Sequence, residues 1–359
     1  MLHALIMAGG GGTRFWPRSR RTKPKQFITL TGERTLLQMT AERVESQVAP
    51  SNTWIMTAAD HRDEVIRQLP HFPENQIIGE PCPRDTAPCV ALGSALIAAR
   101  DPEGIMLVMP ADHVIEPAQE FRRIVHAAEQ LVVEHPASLV TFGITPTWPS
   151  TGYGYIHKGQ SLPGRQGLSV FKVNQFREKP DEATAKEYVA SGEYFWNAGI
   201  FIGRARTFVE EFHRNEAEMH DGVQRIVAAW DTPRQALAFT EDFPLLHKIS
   251  FDFAVMEKCP NVIVMAAQYQ WDDIGSWLAM ERLHPHDKDG NTVLAQHVGL
   301  KTNDCIVVGD PDKIIATLGV NNLVIVQDGN CFLVIDKNRE GEVKSLVEEL
   351  KKRGLEMHL

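Results

Sequence analysis

The sequence predicts an α/β protein, a doubly wound, mostly parallel sheet followed by a small β-rich C-terminal domain. Two observations carry this. Over the first 145 residues, short apolar runs alternate with segments of helical periodicity, the rhythm of strand and crossover helix that builds parallel sheets. After the polar stretch His284–Gly290, only apolar pieces of two to four residues remain, which suit small strands better than buried helices. The expected division is therefore residues 1–285 and 286–359.

The elements follow in order. Leu5–Met7 reads as a buried strand, and Leu36, Leu37, Thr40, Val44 and Val48 fall near helical spacing. Trp54–Met56 is a second strand, followed by a helix from Asp60, and Ile77–Ile78 is a third. Ala87–Ala99 reads as a mostly buried helix, and Ile105–Met109 as a central strand stopped by Pro110. Leu139–Phe142 follows one more helix. From Thr151 the pattern is mixed: Gly152–Tyr155 enters a strand, Val170–Phe176 alternates, and Phe195–Phe201 is a buried strand that contains an amide. Helices are expected near Arg204–Trp230 and Ser276–Leu283. Then come the short pieces Ile306–Val308, Ile314–Ile315, Leu323–Val326 and Phe332–Ile335, compatible with degenerate turns of a β-solenoid, and a closing helix, Glu342–Lys352.

Composition narrows the function. The chain has 37 Lys and Arg against 46 Asp and Glu, a net charge of −9, which argues against nucleic acid or an anionic membrane as a partner. No apolar run is long enough to span a bilayer and no signal peptide is seen. The five cysteines include no CxxC pair, so free thiols in a reducing compartment, the cytoplasm, are expected.

The first strand runs into Gly9, Gly10, Gly11, Gly12, Thr13 and Arg14. Such a turn lets backbone N–H groups face an anion, and Arg14 adds a fork matched to phosphate oxygens. Arg18, Arg20, Arg21, Lys23 and Lys25 follow. A P-loop is excluded because no GK[ST] follows the glycines, and GxGxxG fails because Arg14 or Phe15 occupies the third glycine position. Downstream, Asp112 ends the central strand and Asp273 lies in Trp271–Trp277. Either could ligate the Mg²⁺ that accompanies a triphosphate, or cap a turn (Asp112) or a helix beginning near Gly275 (Asp273). His113 reads as a packing histidine rather than a base.

The glycine loop with Arg14, Pro24 and Lys25 resembles the signature of sugar-1-phosphate nucleotidyltransferases, and Arg14–Arg20 through Pro24–Phe27 resembles their mannose-1-phosphate guanylyltransferase branch. The resemblance is dense to residue 283 and implies a Rossmann-like nucleotidyltransferase fold. It implies that Gly9, Gly10, Gly12 and Thr13 wrap the triphosphate, that Arg14 and Lys25 stabilise departing pyrophosphate, and that Asp112 and Asp273 hold Mg²⁺. Asp272 occupies a variable position. Glu80, Arg84, Asp85, Thr86 and Pro88 fall in a nucleotide-recognition stretch, although read alone it is a proline-rich turn with a Thr86 cap. Where the family pattern carries Asn, this chain has Asp85, which can accept but not donate.

On the sugar side, Gly154 falls in a glycine-bearing strand, Glu178 and Lys179 in an FxEKP motif, and Asn197 in a strand motif whose amide binds sugar hydroxyls. Read alone, Asn197 could equally make a structural hydrogen bond. Ser250–Lys258 resembles a family block and reads mainly as scaffold. The resemblance thus implies GTP and mannose 1-phosphate as substrates, Mg²⁺ as cofactor, no covalent intermediate, and a C-terminal left-handed β-helix fragment used in homodimerisation. It also leads to the expectation of no phosphomannose isomerase activity, because the cupin domain of some relatives has no counterpart here. Two rivals remain: a sibling enzyme making a UDP-, dTDP- or ADP-linked sugar, and a non-catalytic nucleotide-sugar-binding regulatory subunit.

Overall fold

The computed structural model describes all 359 residues. The chain forms two compact units that do not follow chain order: Met1–Gly9, Thr40–Ala111 and Ile115–Trp271 make the first, and Gly10–Met39, Asp112–Val114 and Asp272–Leu359 the second.

The elements up to residue 272 are β1 (Leu2–Ala8), α1 (Leu36–Val44), β2 (Thr53–Ala58), α2 (Arg62–Gln68), β3 (Ile77–Glu80), α3 (Thr86–Arg100), β4 (Ile105–Pro110), β5 (Val114–Glu116), α4 (Ala118–Glu134), β6 (Leu139–Ile144), β7 (Gly154–Arg165), β8 (Leu168–Glu178), α5 (Glu182–Ser191), β9 (Tyr194–Arg204), α6 (Ala205–Asn215), α7 (Ala217–Ala229), α8 (Gln235–Asp242), β10 (Val262–Ala266) and β11 (Gln270–Asp272). Nine strands of the first unit form one sheet in the order β3-β2-β1-β4-β9-β6-β10-β8-β7. The expected parallel arrangement is found in β3-β2-β1-β4 and again between β6 and β10. β9 runs antiparallel between β4 and β6, and the β7–β8 hairpin adds further antiparallel ladders, so the whole sheet is mixed. The hairpin turns at Gln166 and Gly167, both at positive φ (49° and 79°), the backbone that a tight two-residue connection demands.

The parallel strands are buried almost throughout because helices cover them. α3 is the clearest case, with all residues from Ala87 to Ile97 buried. β6 carries a register shift between Thr141 and Gly143, where it pairs with β9. Gly143 stands opposite Asn197, and a Cβ there would lie 2.7 Å from the Phe195 Cβ and 2.8 Å from a Val264 methyl carbon. This irregularity re-aims the strand next to Asn197. Gly143→Ala is therefore expected to cost about 1–3 kcal/mol through overpacking, read as a lower urea midpoint.

In the second unit, α9 (Ala279–Leu283) is followed by β12 (Thr292–Leu294), β13 (Gln296–Leu300), β14 (Ile306–Val308), β15 (Ile314–Leu318), β16 (Leu323–Asp328), β17 (Cys331–Asp336) and α10 (Val343–Lys352). β12, β14 and β16 stack in parallel with Thr292, Ile306 and Val324 in register, and β13 stacks on β15. β17 closes the first stack as an antiparallel strand. This is solenoid packing, in which each short strand buries its side chains only by stacking on its neighbours. Its core joins Ile306, Val308, Val324 and Val326 to Phe15, Trp16 and Trp277.

Candidate active site

The second unit carries the glycine loop from Gly10 onward. Gly12 has φ 52°, and a Cβ there would lie 2.5 Å from the Lys25 backbone nitrogen and 2.6 Å from its Cβ. Only glycine lets these two segments meet. Gly10 and Gly11 face open space. Thr13–Phe15 makes one 3₁₀ turn that leaves Arg14 exposed and buries Phe15 against Trp277, with ring centres 5.0 Å apart. The indole nitrogen of Trp16 donates to the His358 carbonyl at 2.8 Å, so the end of the chain braces the end of the loop.

Lys25 is 7% exposed. Its ammonium donates to Asp112 Oδ2 at 2.8 Å and to the Asp273 carbonyl. Burial would raise the Asp112 carboxyl, but the Lys25 charge, then His113 and the hydrogen bond from Lys25, hold it below the usual carboxylate range. Asp273 precedes Ile274, a buried β-branched residue at φ 45°, an unusual backbone for that side chain. Asp272 accounts for the bend. Its carboxylate accepts from the Ile274 N–H at 2.7 Å and from Arg282 Nε at 2.5 Å and Nη2 at 3.0 Å. Asp272 is thus a structural clamp. Asp273 is not the cap of the following helix, which begins only at Ala279.

The basic run after the loop divides by role. Arg18 pairs with Asp310 at 3.4 Å and Asp328 at 3.7 Å, and Arg20 with Asp328 at 2.9 Å. These two arginines serve the C-terminal solenoid, a role their proximity to the loop does not suggest.

The first unit carries two further groups of side chains. Glu80 ends β3 with 8% exposure. Burial pushes its carboxyl up to about 7, only partly opposed by a hydrogen bond from the Cys89 thiol. Its Oε1 is buried without a partner, and its Oε2 lies 3.7 Å from where a Cβ of Gly9 would stand. Asp85, at φ 64°, caps α3 by accepting from the Thr86 N–H at 2.8 Å. An acceptor is all that this job requires, so Asp meets it as Asn would. Thr86 Oγ1 accepts from the Phe251 N–H at 2.8 Å, Pro88 lies in the first turn of α3, and Arg84 donates to the Pro244 carbonyl.

The second group gathers the sugar candidates. A Cβ on Gly154 would collide with Glu178 Oε2, so glycine makes room for that carboxylate. Glu178 Oε1 pairs with Lys179 Nζ at 2.9 Å. Burial would lower the Lys179 ammonium, but Glu178, Asp252 and Asp85 raise it above its ordinary value. Asn197 donates from Nδ2 to Asp252 Oδ1 at 2.9 Å, and its Oδ1 accepts from the Gly199 N–H at 3.1 Å. Thr141 Oγ1 is a further 3.3 Å neighbour of that oxygen. Asp252 has no place among the sequence-predicted site residues, because Ser250–Lys258 reads as scaffold. It opens a π-helical turn, Asp252–Met256, a local geometry found often at functional sites.

The arrangement is therefore a glycine loop with a lysine held by two acidic positions, and a group of carboxylates and an amide beside a second lysine. The nucleotidyl transferase family model matches residues 3–290. The chain belongs to this family. Residues 295–350 match a second model, the MannoseP isomerase/GMP-like beta-helix domain, in accord with the stacked short strands. Mannose-1-phosphate guanylyltransferase of Escherichia coli strain K12 is 38% identical over 99% of this chain and 75% of its own length. The enzyme of the same name from Klebsiella pneumoniae is 37% identical over 98% of this chain and 74% of its own. The chain thus spans about three quarters of these relatives. A crystal structure from Thermus thermophilus, described as a mannose-1-phosphate geranyltransferase, superposes with a TM-score of 0.85 at 35% identity, covering 98% of this chain and 99% of that one.

Proposed function

We propose that this chain, through residues 1–285, transfers GMP from GTP to mannose 1-phosphate, giving GDP-mannose and pyrophosphate. The observation that carries the reading is Lys25, buried against Gly12 and held by Asp112 and the Asp273 carbonyl. The names of the curated relatives supply the nucleotide and the sugar.

The phosphate oxygen of mannose 1-phosphate attacks the α-phosphorus of GTP. A new P–O bond forms, the bond to the α–β bridging oxygen breaks, and pyrophosphate leaves with that electron pair. The nucleophile is already ionised, so no general base and no covalent intermediate are needed, and catalysis reduces to alignment and charge neutralisation. Lys179 fixes the sugar phosphate, and Arg14 and Lys25 neutralise charge growing on pyrophosphate. The backbone of Gly9, Gly10, Gly12 and Thr13 wraps the triphosphate. Glu80 and the Arg84–Pro88 turn receive the base, while Gly154, Glu178 and Asn197 receive the sugar.

The residues fit a magnesium ion. Asp112 is kept as a carboxylate at Lys25, and Asp273, whose backbone carbonyl receives the same lysine, carries a second carboxylate; carboxylates are the hard oxygen donors that Mg²⁺ takes alongside phosphates and water. Mg²⁺ on Asp112 and Asp273 would supply charge neutralisation at the triphosphate. A homodimer through the C-terminal domain is supported by the exposed apolar residues Val298, Leu300, Ile314 and Leu318 on the β13–β15 ladder. Free cysteines support a cytoplasmic location, and no helix is long and apolar enough to cross a membrane.

The test is pyrophosphate release with Mg²⁺ and mannose 1-phosphate, comparing GTP, ATP, UTP and dTTP. Release with GTP is the expected result. Release only with another triphosphate would assign a sibling nucleotidyltransferase activity. Ligand binding without any release would identify a regulatory subunit.

A further inference from the structure

We propose that Asp252 is a sugar-reading residue: one carboxyl oxygen locks the Asn197 amide, and the other accepts a hydroxyl of the hexose phosphate. This rests on the proposed function and adds a residue to its sugar group.

Asn197 is the residue that Asp252 holds. Its Oδ1 is engaged by the Gly199 N–H at 3.1 Å and neighboured by Thr141 Oγ1 at 3.3 Å, and its Nδ2 is given to Asp252 at 2.9 Å. The amide is thereby fixed in one orientation, and its carbonyl is turned into the protein. The acceptors left to meet a sugar are carboxylates, and two of them converge. Glu178, on β8, fills the space that Gly154 of β7 leaves empty and pairs with Lys179. Asp252 reaches the same group from the π-helical turn, which is fixed from the other side by Thr86 receiving the Phe251 N–H.

The groups that face Asp252 are Glu178, Lys179 and Asn197. Burial, then the Glu178 charge, pushes its carboxyl up to about 7. A hexose hydroxyl that donates to the ionised form stabilises that form, so sugar-phosphate affinity should fall as the pH drops through 7. A group with a pKa near 7 loses about tenfold between pH 8 and pH 6. The sugar phosphate adds its own ionisation near about 6, so the variant is needed to separate the two.

Asp252→Asn keeps an oxygen for the Asn197 amide and removes the titration. Calorimetric binding of mannose 1-phosphate to the full chain at pH 6, 7 and 8, with pyrophosphate release alongside, provides the test. The wild type should weaken by about tenfold more than Asp252→Asn across that range. Asp252→Asn should bind the sugar phosphate about tenfold more weakly at pH 8, from the loss of a charge-assisted hydrogen bond. GTP binding should be unchanged in both. Asp252→Ser serves as a second variant if the first does not fold. A variant with wild-type affinity at pH 8, or with the wild-type pH slope, overturns the inference, because a purely structural Asp252 would leave that slope untouched. A wild type that neither binds nor uses any hexose 1-phosphate overturns the proposed function, and the role of Asp252 with it.

Discussion

Asp112→Asn is expected to lower kcat by about 10²–10³-fold while leaving the fold intact. The range is what losing one preorganised charge partner costs at a reaction centre, about 3–4 kcal/mol. Asp112 receives Lys25 at 2.8 Å, and its carboxyl is held below the usual range chiefly because the Lys25 charge outweighs burial. Asparagine can still accept that hydrogen bond through Oδ1, so Lys25, 7% exposed, keeps a partner. With the Asp112 side chain about a third exposed (35%), the stability loss is discounted to about 1 kcal/mol, a Tm shift of about 2–4 °C. The activity and the melting temperature should therefore separate. The Mg²⁺ concentration for half-maximal rate should rise, because an amide is a poorer ligand than a carboxylate for a hard cation. Steady-state pyrophosphate release over a Mg²⁺ titration, with a thermal melt of the same preparation, checks both. An unchanged kcat in a folded variant would remove Asp112 from the metal assignment and leave its bond to Lys25 as structure only.

The parts of this protein that are legible in its sequence are those encoded locally. Buried parallel strands announce themselves as unbroken apolar runs, so β1, β2 and β4 follow from composition alone. The mixed character of the sheet does not, because an alternating run such as Val170–Phe176 says that one face is buried without saying which strand lies beside it. The second unit gathers residues 10–39, 112–114 and 272–359, and nothing local in a loop at residue 18 foretells an aspartate at 310 or 328. The same holds at the sugar group. Gly154, Glu178 and Asn197 sit in motifs, whereas Asp252 lies between two phenylalanines in a segment whose apolar pattern explains itself as packing. Only its hydrogen bond from the Asn197 amide, 55 positions earlier in the chain, ties it to that group. In the Trp271–Trp277 segment the motif separates Asp273 from Asp272 but gives Asp272 no task, and only the distant Arg282 shows that it is a structural partner.

Glu80 leads to the second large expectation. Guanine presents two N–H donors on one edge, and a single ionised carboxylate can accept both, whereas adenine offers an acceptor where guanine has its ring N–H. Glu80 suits this: it ends β3, is 8% exposed, and has an unpartnered oxygen. Glu80→Gln should weaken GTP about 10²-fold, since hydrogen bonds to a charged group are worth about 1.5–3 kcal/mol each, while ATP changes little. The discrimination between GTP and ATP, read as a ratio of kcat/KM values, should collapse accordingly.

The pH dependence gives an independent check on Glu80. With the carboxyl at about 7 in the free protein, GTP affinity should be greatest above pH 7 and fall below it, a dependence that Glu80→Gln lacks. Stability runs the opposite way. The folded pKa lies above the unfolded value, so the folded state binds more protons between about 4.5 and 7, and its stability falls as the pH rises through that window. At pH 8 the buried charge costs on the order of 3 kcal/mol, and Glu80→Gln without ligand should melt higher than the wild type, a difference that shrinks toward pH 4.5. A variant that is less stable at pH 8 and equally selective for GTP would make Glu80 a structural partner of Cys89 and nothing more. A variant that gains stability while losing guanine selectivity would show that the cost of burying this carboxylate is carried for the sake of the base.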